Sequence, residues 1–392
     1  MSDDYSSSLF SDFDSEEQKY WLEVLDVVDS ICNNLQYTTL IVSIIGIVCN
    51  LFHLLVLSQK SMRGLTINAF LIGIGLCDLI RMTCVVLIVG PYINAYLQTV
   101  PLGCLGPPLY ITMVISVFGN STEKTCQQLS VWYGVTIGVL RALVIRYPLN
   151  SKISRFINSK YGCRPLLLIT AIAIPFWVIG YSQLHVKEYR IWKAPVDCPN
   201  FPANYTQVEY FFDTIKIFGQ SDLELFKIAL VFEGITCKLI PSVLLPLATI
   251  FLVIELKKNK SESTVSSKTS DSSKRSTKLV IFMTISFLIA NFPLGVLYLA
   301  EFCVYNDGPM GFVYIMKRCT AVFTLINVIN GTVHFLICFF MSSHYRTTAK
   351  SLVTGRAVQG SSVVNPTEVP APKIESAKST RSIFAIASTK VE

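Results

Sequence analysis

Seven long apolar stretches dominate this chain, and each is long enough to cross a lipid bilayer. A membrane-spanning helix needs about 20 mostly apolar residues, and a single segment can satisfy its backbone groups in lipid only as a helix. We call the stretches spans one to seven; in order they are Tyr37–Ser58, Ile67–Tyr96, Leu109–Tyr147, Leu166–Leu184, Leu225–Leu256, Lys278–Cys303 and Phe312–Met341. The sequence therefore predicts an all-α membrane protein, a bundle of seven transmembrane helices.

Charged residues predict the orientation of this bundle. The chain is 52% hydrophobic and only 15% charged, whereas a soluble domain carries about 25% charged residues. Residues 1–36 contain nine acids and one base, while the segments after spans one, three and five are basic. Because Lys and Arg remain on the cytoplasmic side, we expect the N-terminus outside and a multi-pass protein of the plasma membrane. The net charge of +7 then belongs to the inner face and predicts no nucleic-acid partner.

The remaining segments divide the chain further. We expect 1–36 to be an acidic extracellular tail, unfolded except for a short amphipathic helix over Trp21–Ile31. The seven-transmembrane domain covers 37–341, and the segment 342–356 predicts a short amphipathic eighth helix on the membrane lipid. The tail over 357–392 is rich in Ser and Thr and is expected to be disordered. A sequon at Asn204, in the long outer loop, predicts a glycoprotein.

Polar residues inside the spans are few and therefore informative, since ionisable groups in the membrane are costly and usually functional. They are Asn50 in span one, Asp78 in span two, Arg141 at the inner end of span three, Pro293 in span six and Asn330 in span seven. One such residue per span, in this order, resembles the rhodopsin-like G-protein-coupled receptors. The resemblance extends from span one to span seven.

Four segments resemble a nematode subgroup of these receptors, the serpentine chemoreceptor class W (Srw), which is similar to FMRFamide- and myosuppressin-type peptide receptors. They are Leu129–Pro148, Lys238–Pro246, Asn330–His334 and Phe340–Arg346. The resemblance implies a receptor that transmits ligand binding to a heterotrimeric G protein, with arrestin and a kinase acting on the Ser/Thr-rich tail. It assigns coupling and activation to Arg141, Pro293, Asn330 and His334.

Departures from the receptor pattern are as informative as the matches. The usual acid before the span-three arginine is Leu140, and the usual aromatic after it is Ala142. In span seven, Gly331 replaces a proline and His334 replaces a tyrosine. Because Arg141 has no adjacent ion-pair partner, we expect some basal activity.

Asp78 is a lone carboxylate at mid-membrane depth and needs a partner or a cation. The resemblance implies that Ser130 faces it and helps to hold a sodium ion, with Asn50 and Asn330 nearby. The alternatives are a protonated Asp78 that is hydrogen-bonded to Asn330, and direct neutralisation by Arg81, one turn further out.

A polar segment of span three predicts a ligand site. Glu123 precedes Arg141 by eighteen residues, about 27 Å of helix, which places Glu123 at ligand depth. It faces a pocket, pairs with Arg81, or lies in a loop if the helix begins later. Gln127, on the same face, is a second candidate.

Span six predicts the other side of this pocket, beside a kink at Pro293. Phe292 occupies the position where the family keeps an aromatic that senses ligand. Tyr298 and Glu301, further out, are candidate rim residues, although Tyr298 also fits an interfacial aromatic.

Span five adds two charges, Glu233 and Lys238. Five residues separate them, so we expect them on different faces of an α-helix, with Pro241 or Pro246 as the kink.

Two cysteines, Cys104 and Cys198, fall in predicted extracellular loops, where disulfides persist. We therefore expect a disulfide between them, although Cys104 precedes Arg141 by more residues than is usual in the family. Cys32, Cys303 and Cys319 also lie near the outer face, and the sequence leaves their pairing open.

The ligand is predicted from charge and from the resemblance. An acidic outer face attracts cations, which favours a short, amidated, arginine-containing neuropeptide whose arginine meets Glu123 or Glu301 and whose aromatic lies toward Phe292. The alternative is a chemosensory receptor for a small molecule. A transporter or channel is a remote alternative, because the two halves show no repeat. No metal, phosphate-loop or nucleophile motif predicts an enzyme.

Overall fold

The computed structural model describes residues 9–62, 66–97, 104–147, 150, 159–182, 184–198, 200–202, 204–214, 222–262, 267–307 and 309–355. Seven helices within these ranges are long and apolar enough to cross a membrane, which confirms the predicted seven-helix bundle. The first four spans lie on helices Ser15–Leu57, Thr66–Leu97, Tyr110–Arg146 and Ser159–Ser182. Span six lies on Ser267–Asp307 and span seven on Met310–Met341, followed by a short helix, Ser343–Thr354.

Span five is the irregular one. It consists of an α-helix over Asp222–Phe232, a π-helix over Glu233–Leu239 and a second α-helix over Ile240–Glu262. The π segment ends at Leu239, two residues before Pro241, which has no N–H to continue an α-helical hydrogen-bond pattern. The irregularity of span five therefore lies at Pro241, whereas Pro246 sits inside a continuous helix.

Packing is densest around spans two and three. Span three contacts spans two, four and five, while span one packs against spans two and seven. Large apolar residues on the outside of the bundle, such as Ile41, Val48 and Leu55 of span one, are about half exposed. An exposed apolar surface of this extent fits a lipid environment rather than water.

A hairpin in the loop between spans four and five was not predicted. Strands β1 (Leu184–Lys193) and β2 (Thr206–Thr214) pair antiparallel, with a bulge between Glu188 and Arg190. Arg190 Nε lies 2.6 Å from Glu209 Oε2 across the strands.

The charge distribution predicts that this end of the bundle faces outside, and we use "outer" and "inner" in that sense.

A disulfide joins the hairpin loop to the start of span three. Cys104 is bonded to Cys198, and their Cα atoms are 5.3 Å apart. Both residues are buried, and the hairpin contacts the helix of span three. The hairpin is thereby held on the outer end of span three. Asn204 is exposed just before β2 with φ of 63°, so the predicted sequon is accessible to modification.

The N-terminal prediction was wrong in extent. The helix of span one begins at Ser15, not in the membrane, because Asp14 caps it: its side chain accepts hydrogen bonds from the backbone of Glu16 and Glu17 at 3.0 and 2.9 Å. Such caps and acidic first turns stabilise helix starts. The tail of 1–36 is thus helical from Ser15 onward, whereas residues 1–8 lie outside the described part of the chain.

The short helix after span seven has clear ends. Ser342 accepts a hydrogen bond from the backbone of Tyr345, and the helix stops before Gly355, which has φ of 64° as helix C-caps often require. The Tyr345 hydroxyl lies 2.8 Å from His53 Nδ1, and burial raises the pKa of the Tyr345 phenol. This hydrogen bond ties the short helix to span one. The predicted tail over 357–392 lies outside the described residues.

Candidate functional site

A buried charge cluster joins spans two and seven at the centre of the bundle. Asp78 Oδ1 is 3.4 Å from Arg81 Nη2, and Asp78 Oδ2 is 2.9 Å from His334 Nδ1. Arg81 Nη2 also donates to the backbone oxygen of Asn327 at 2.7 Å. Asp78 and Arg81 are each almost inaccessible to solvent. Both carboxylate oxygens of Asp78 therefore have a partner within the protein.

Gly331 makes room for this arrangement. A Cβ atom at this position would lie 2.6 Å from Arg81 Nη2 and 3.1 Å from Asp78 Cγ. A proline here, as in the receptor pattern, would occupy the space of the guanidinium. Gly331, which stands where the receptor pattern has a proline, thus leaves the space that the Arg81 guanidinium occupies.

The residues predicted to hold sodium are only partly brought together. Ser130 lines the same cavity as Asp78, but Asn50 points elsewhere: its amide donates to the backbone oxygens of Gly46 and Gly331 at 3.0 and 3.3 Å. Of the three alternatives for Asp78, the geometry matches neutralisation by Arg81. The guanidinium thus supplies a positive charge beside Asp78.

A cavity lined by both apolar and polar side chains connects this cluster with Arg141. It is lined by residues of spans two, three, five, six and seven, and its polar side chains include Gln127, Ser130, Asn291, Asn327 and Asn330. Gln127, predicted as a ligand contact, therefore lies in this central cavity. Asn330 Oδ1 is buried and has no hydrogen-bond partner among the described residues. The cavity is a route by which rearrangement at Asp78 can reach Arg141.

Arg141 lies at the inner end of the cavity, and Arg146, further along span three, makes an ion pair with span five. Arg146 Nη1 is 3.0 and 3.3 Å from the two carboxylate oxygens of Glu255. Glu255 is only 7% exposed, so this pair joins the inner ends of spans three and five. Sequence analysis missed it because the two residues are far apart in the chain.

Loss of the ion pair between Arg146 and Glu255, which we call the clamp, should raise basal signalling. We expect Glu255→Gln to increase ligand-free activity several-fold, because the neutral amide no longer holds Arg146 and frees the inner end of span five. Ligand-free second-messenger levels at matched surface expression measure the effect. Lys257→Gln, which changes an exposed charge, is the control, and equal basal activity in both variants would contradict the role of the clamp.

Charged residues from four spans form a group at the outer half of the bundle, which we call the charged ring. Its members are Glu123, Lys124, Glu233, Lys238, Glu301 and Lys317. Lys124 Nζ lies 3.6 Å from Glu233 Oε2, and Tyr298 lies close to Glu233. Three carboxylates face three amines, so the ring is balanced in charge rather than acidic.

Neighbouring charges surround each predicted anchor. Glu123 is close enough to Arg81, Lys124 and Lys238 to interact with them electrostatically. Glu301, only 2% exposed, has Lys317 and Lys124 as its basic neighbours. Neither acid is therefore a lone anionic anchor for a cationic ligand.

The π-helix places Glu233 and Lys238 on one side of span five. In this segment hydrogen bonds run from residue i+5 to residue i, as from Ile240 to Ile235, so residues five apart are stacked. The Glu233 side chain is 12% exposed and Lys238 is fully buried. The prediction that they occupy different faces was wrong because it assumed an α-helix.

Span six contributes Tyr298 and Glu301, but not Phe292. The buried residues of this span recur every three or four positions, through Phe287, Asn291 and Leu294, and Glu301 continues this stripe. Phe292 is 46% exposed and lies on the outer surface of the bundle, so its predicted role as a pocket aromatic was wrong. Pro293 stands in a continuous helix and does not turn Phe292 inward.

Comparisons with known proteins agree with this architecture. Residues 36–356 match the protein family described as "Serpentine type 7TM GPCR chemoreceptor Srw". This match covers well over half of the 392 residues and includes all seven spans. Among curated proteins, no match is found.

Proposed function

The chain belongs to the serpentine seven-transmembrane chemoreceptor family Srw, and on this premise we propose that it binds an extracellular ligand at the charged ring and activates a heterotrimeric G protein. The observation that carries the proposal is the arrangement of polar groups along the bundle axis. The charged ring lies in the outer half, and one cavity runs from the Asp78 cluster in the middle to Arg141 at its inner end. Such a series of polar groups in a membrane protein is costly unless it is used.

We propose a short peptide as the ligand. The Lys124 side chain, on span three, is 54% exposed, which supports access of a ligand to this part of the ring. The disulfide at Cys104 holds the hairpin loop at the outer end of span three. The resemblance to FMRFamide-type receptors favours an amidated peptide with an arginine, whose guanidinium would compete with Lys124 for Glu233 or enter beside Glu123 and Glu301.

A small-molecule ligand is the second candidate, because the matching family is described as one of chemoreceptors. The observation that favours it is Lys238, whose amine is fully buried and has no hydrogen-bond partner among the described residues. A small anionic or polar ligand could reach this amine where a peptide backbone could not.

A ligand screen tests the function directly. Cells that express the receptor would be exposed to amidated peptides, FMRFamide first, and to small water-soluble odorants, with calcium and cAMP as readouts. A response to peptides supports the first candidate and a response to uncharged small molecules alone contradicts it. Cells that express the Arg141→Ala variant control for responses of the host cell.

Charge changes in the ring distinguish the two ligand classes. For a cationic peptide, we expect Glu123→Lys or Glu301→Lys to raise the half-maximal dose at least tenfold, or about 1.4 kcal/mol. Lys124→Gln should have the opposite effect and lower this dose several-fold, because it releases Glu233 for the ligand. Dose–response curves at matched surface expression measure both.

The exposed hairpin residue Glu188 supplies the matched control, since Glu188→Lys alters the net charge equally but outside the ring. An unchanged dose in all three ring variants would contradict a cationic ligand. A higher dose for Lys124→Gln would instead indicate an anionic ligand.

Other partners follow from the same proposal. We expect the short helix Ser343–Thr354 to lie on the membrane lipid, and the Ser/Thr-rich segment over 357–392 to be the substrate of a receptor kinase and the site of arrestin binding. We also expect the receptor to operate at the plasma membrane and to carry a glycan at Asn204.

A further inference from the structure

The outer ends of spans one and seven form a close contact that extends beyond the membrane. Leu25 of the span-one helix packs in a cluster with Phe312 and Ile315 of span seven. One turn further along, Asp29 Oδ1 is 2.8 Å from Arg318 Nε. Successive residues on one face of the first helix thus meet successive turns of the seventh.

The N-terminal segment strengthens this contact. Phe10 is completely buried, and its ring lies so close to Gly311 that a Cβ atom there would be 2.2 Å away from it. The backbone nitrogen of Gly311 also donates to the oxygen of Leu9 at 2.9 Å. The contact is therefore a packed interface at the outer end of the bundle, not a chance approach of two helices.

Two cysteines meet in this interface. Cys32 is 2% exposed, and its Sγ donates to the backbone oxygen of Arg318 at 3.2 Å. The carbonyl group of Arg318 is bonded directly to the backbone nitrogen of Cys319, and the thiols of Cys32 and Cys319 are close enough to interact electrostatically. Both are free thiols in the structure.

We propose that Cys32 and Cys319 form a second extracellular disulfide. Cys32 precedes the apolar part of span one, and Cys319 follows the charged pair Lys317 and Arg318 at the outer end of span seven. Both cysteines therefore face the secretory compartment during synthesis, where disulfides form and persist.

The redox chemistry balances by thiol–disulfide exchange. Each thiol loses a proton, one S–S bond forms, and two electrons pass to a protein disulfide of the secretory compartment, which becomes a dithiol. Bond formation requires the Cα atoms to lie about 4.4–6.8 Å apart, and the contact of Cys32 Sγ with the carbonyl oxygen directly before Cys319 brings the two residues close together.

This disulfide would fix one wall of the ligand site. Lys317, a basic neighbour of Glu301 in the charged ring, lies two residues before Cys319. A covalent bond at Cys319 would hold this turn of span seven against the first helix and so limit the movement of Lys317. The proposal concerns the covalent structure and does not depend on which ligand binds.

Peptide mapping tests it. The full-length receptor, purified in detergent, would be alkylated without reduction, digested and analysed by mass spectrometry. We expect a linked peptide pair that contains Cys32 and Cys319, with the Cys104–Cys198 pair in the same digest as the internal reference. Alkylation of both Cys32 and Cys319, or a link from Cys319 to the exposed Cys303, would overturn the proposal.

Two variants add an independent readout. Cys32→Ser and Cys319→Ser should each expose one new alkylatable thiol at the partner position and lower the midpoint of thermal unfolding by several degrees. Cys49→Ser, which alters a free cysteine of the same helix, should do neither. If the variants do not fold, the map of the natural protein alone decides.

Discussion

Replacement of Arg81 by leucine should destabilise the receptor by about 3–5 kcal/mol, the usual cost of leaving one partner of a buried ion pair uncompensated. Asp78 would keep only His334 as a partner, because Arg81 supplies both its ion pair and the link to Asn327 across spans two and seven. The midpoint of thermal unfolding in detergent measures the loss. Ile80→Ala, at a lipid-facing position 43% exposed, is the matched control.

Sodium gives this prediction a second readout. The natural protein should have the same thermal midpoint in sodium chloride and in N-methylglucamine chloride of equal concentration, because the guanidinium occupies the place of a free cation. Arg81→Leu should become more stable in sodium than in the larger organic cation. Sodium-dependent stability of the natural protein would contradict the proposed role of Arg81.

Gly331→Ala tests the same cluster from span seven. The new methyl group would lie 2.6 Å from the guanidinium, and such overpacking typically costs about 1–3 kcal/mol. We expect a smaller loss of stability than in Arg81→Leu. Combined with Arg81→Leu, the alanine should cost little more, because the clashing group is gone.

The second large effect is expected at Arg141, where alanine should abolish G-protein coupling. Arg141 lies at the inner end of the central cavity and follows Leu140, where the receptor pattern has an acid. We infer that its guanidinium contacts the G protein when the inner ends of the spans separate. Ligand-stimulated second-messenger production should fall to the level of untransfected cells while surface expression stays normal.

Lys350→Ala, at an exposed position on the short inner helix, controls for the removal of any inner-face cation. Arg141→Lys should retain part of the response, because the charge remains while the planar donor group is lost. Full signalling by Arg141→Ala would rule out this role.

Local patterns were enough to predict several features of the molecule. Span length and apolar content depend only on the thickness of the bilayer, so all seven spans could be located from composition alone. The disulfide at Cys104 and Cys198 was predicted because both residues fall in loops that the spans leave outside. Membership of the Srw family could likewise be predicted from short motifs around Arg141 and Asn330.

Predictions failed where they depended on which face of a helix a residue occupies or on which residues it contacts. The spacing of an α-helix predicts that Glu233 and Lys238 lie on different faces of span five. The π-helix places them on one side instead, next to Pro241, whose missing N–H alters the hydrogen-bond pattern. Phe292 was expected inside the pocket by analogy, while the packing of span six against its neighbours turns it outward. Glu123 and Glu301 were predicted as anionic anchors without the lysines of other spans that lie beside them.

The sequence by itself determined how many helices are long and apolar enough to cross the membrane, because the transfer of each segment into the bilayer depends on its own residues. Only the tertiary structure decided which charges meet. Arg81 reaches Asp78 because Gly331 on another span leaves it space, and Arg146 meets Glu255 because spans three and five pack side by side. Such pairs form between residues distant in the chain, so their energies depend on distances that no local pattern contains.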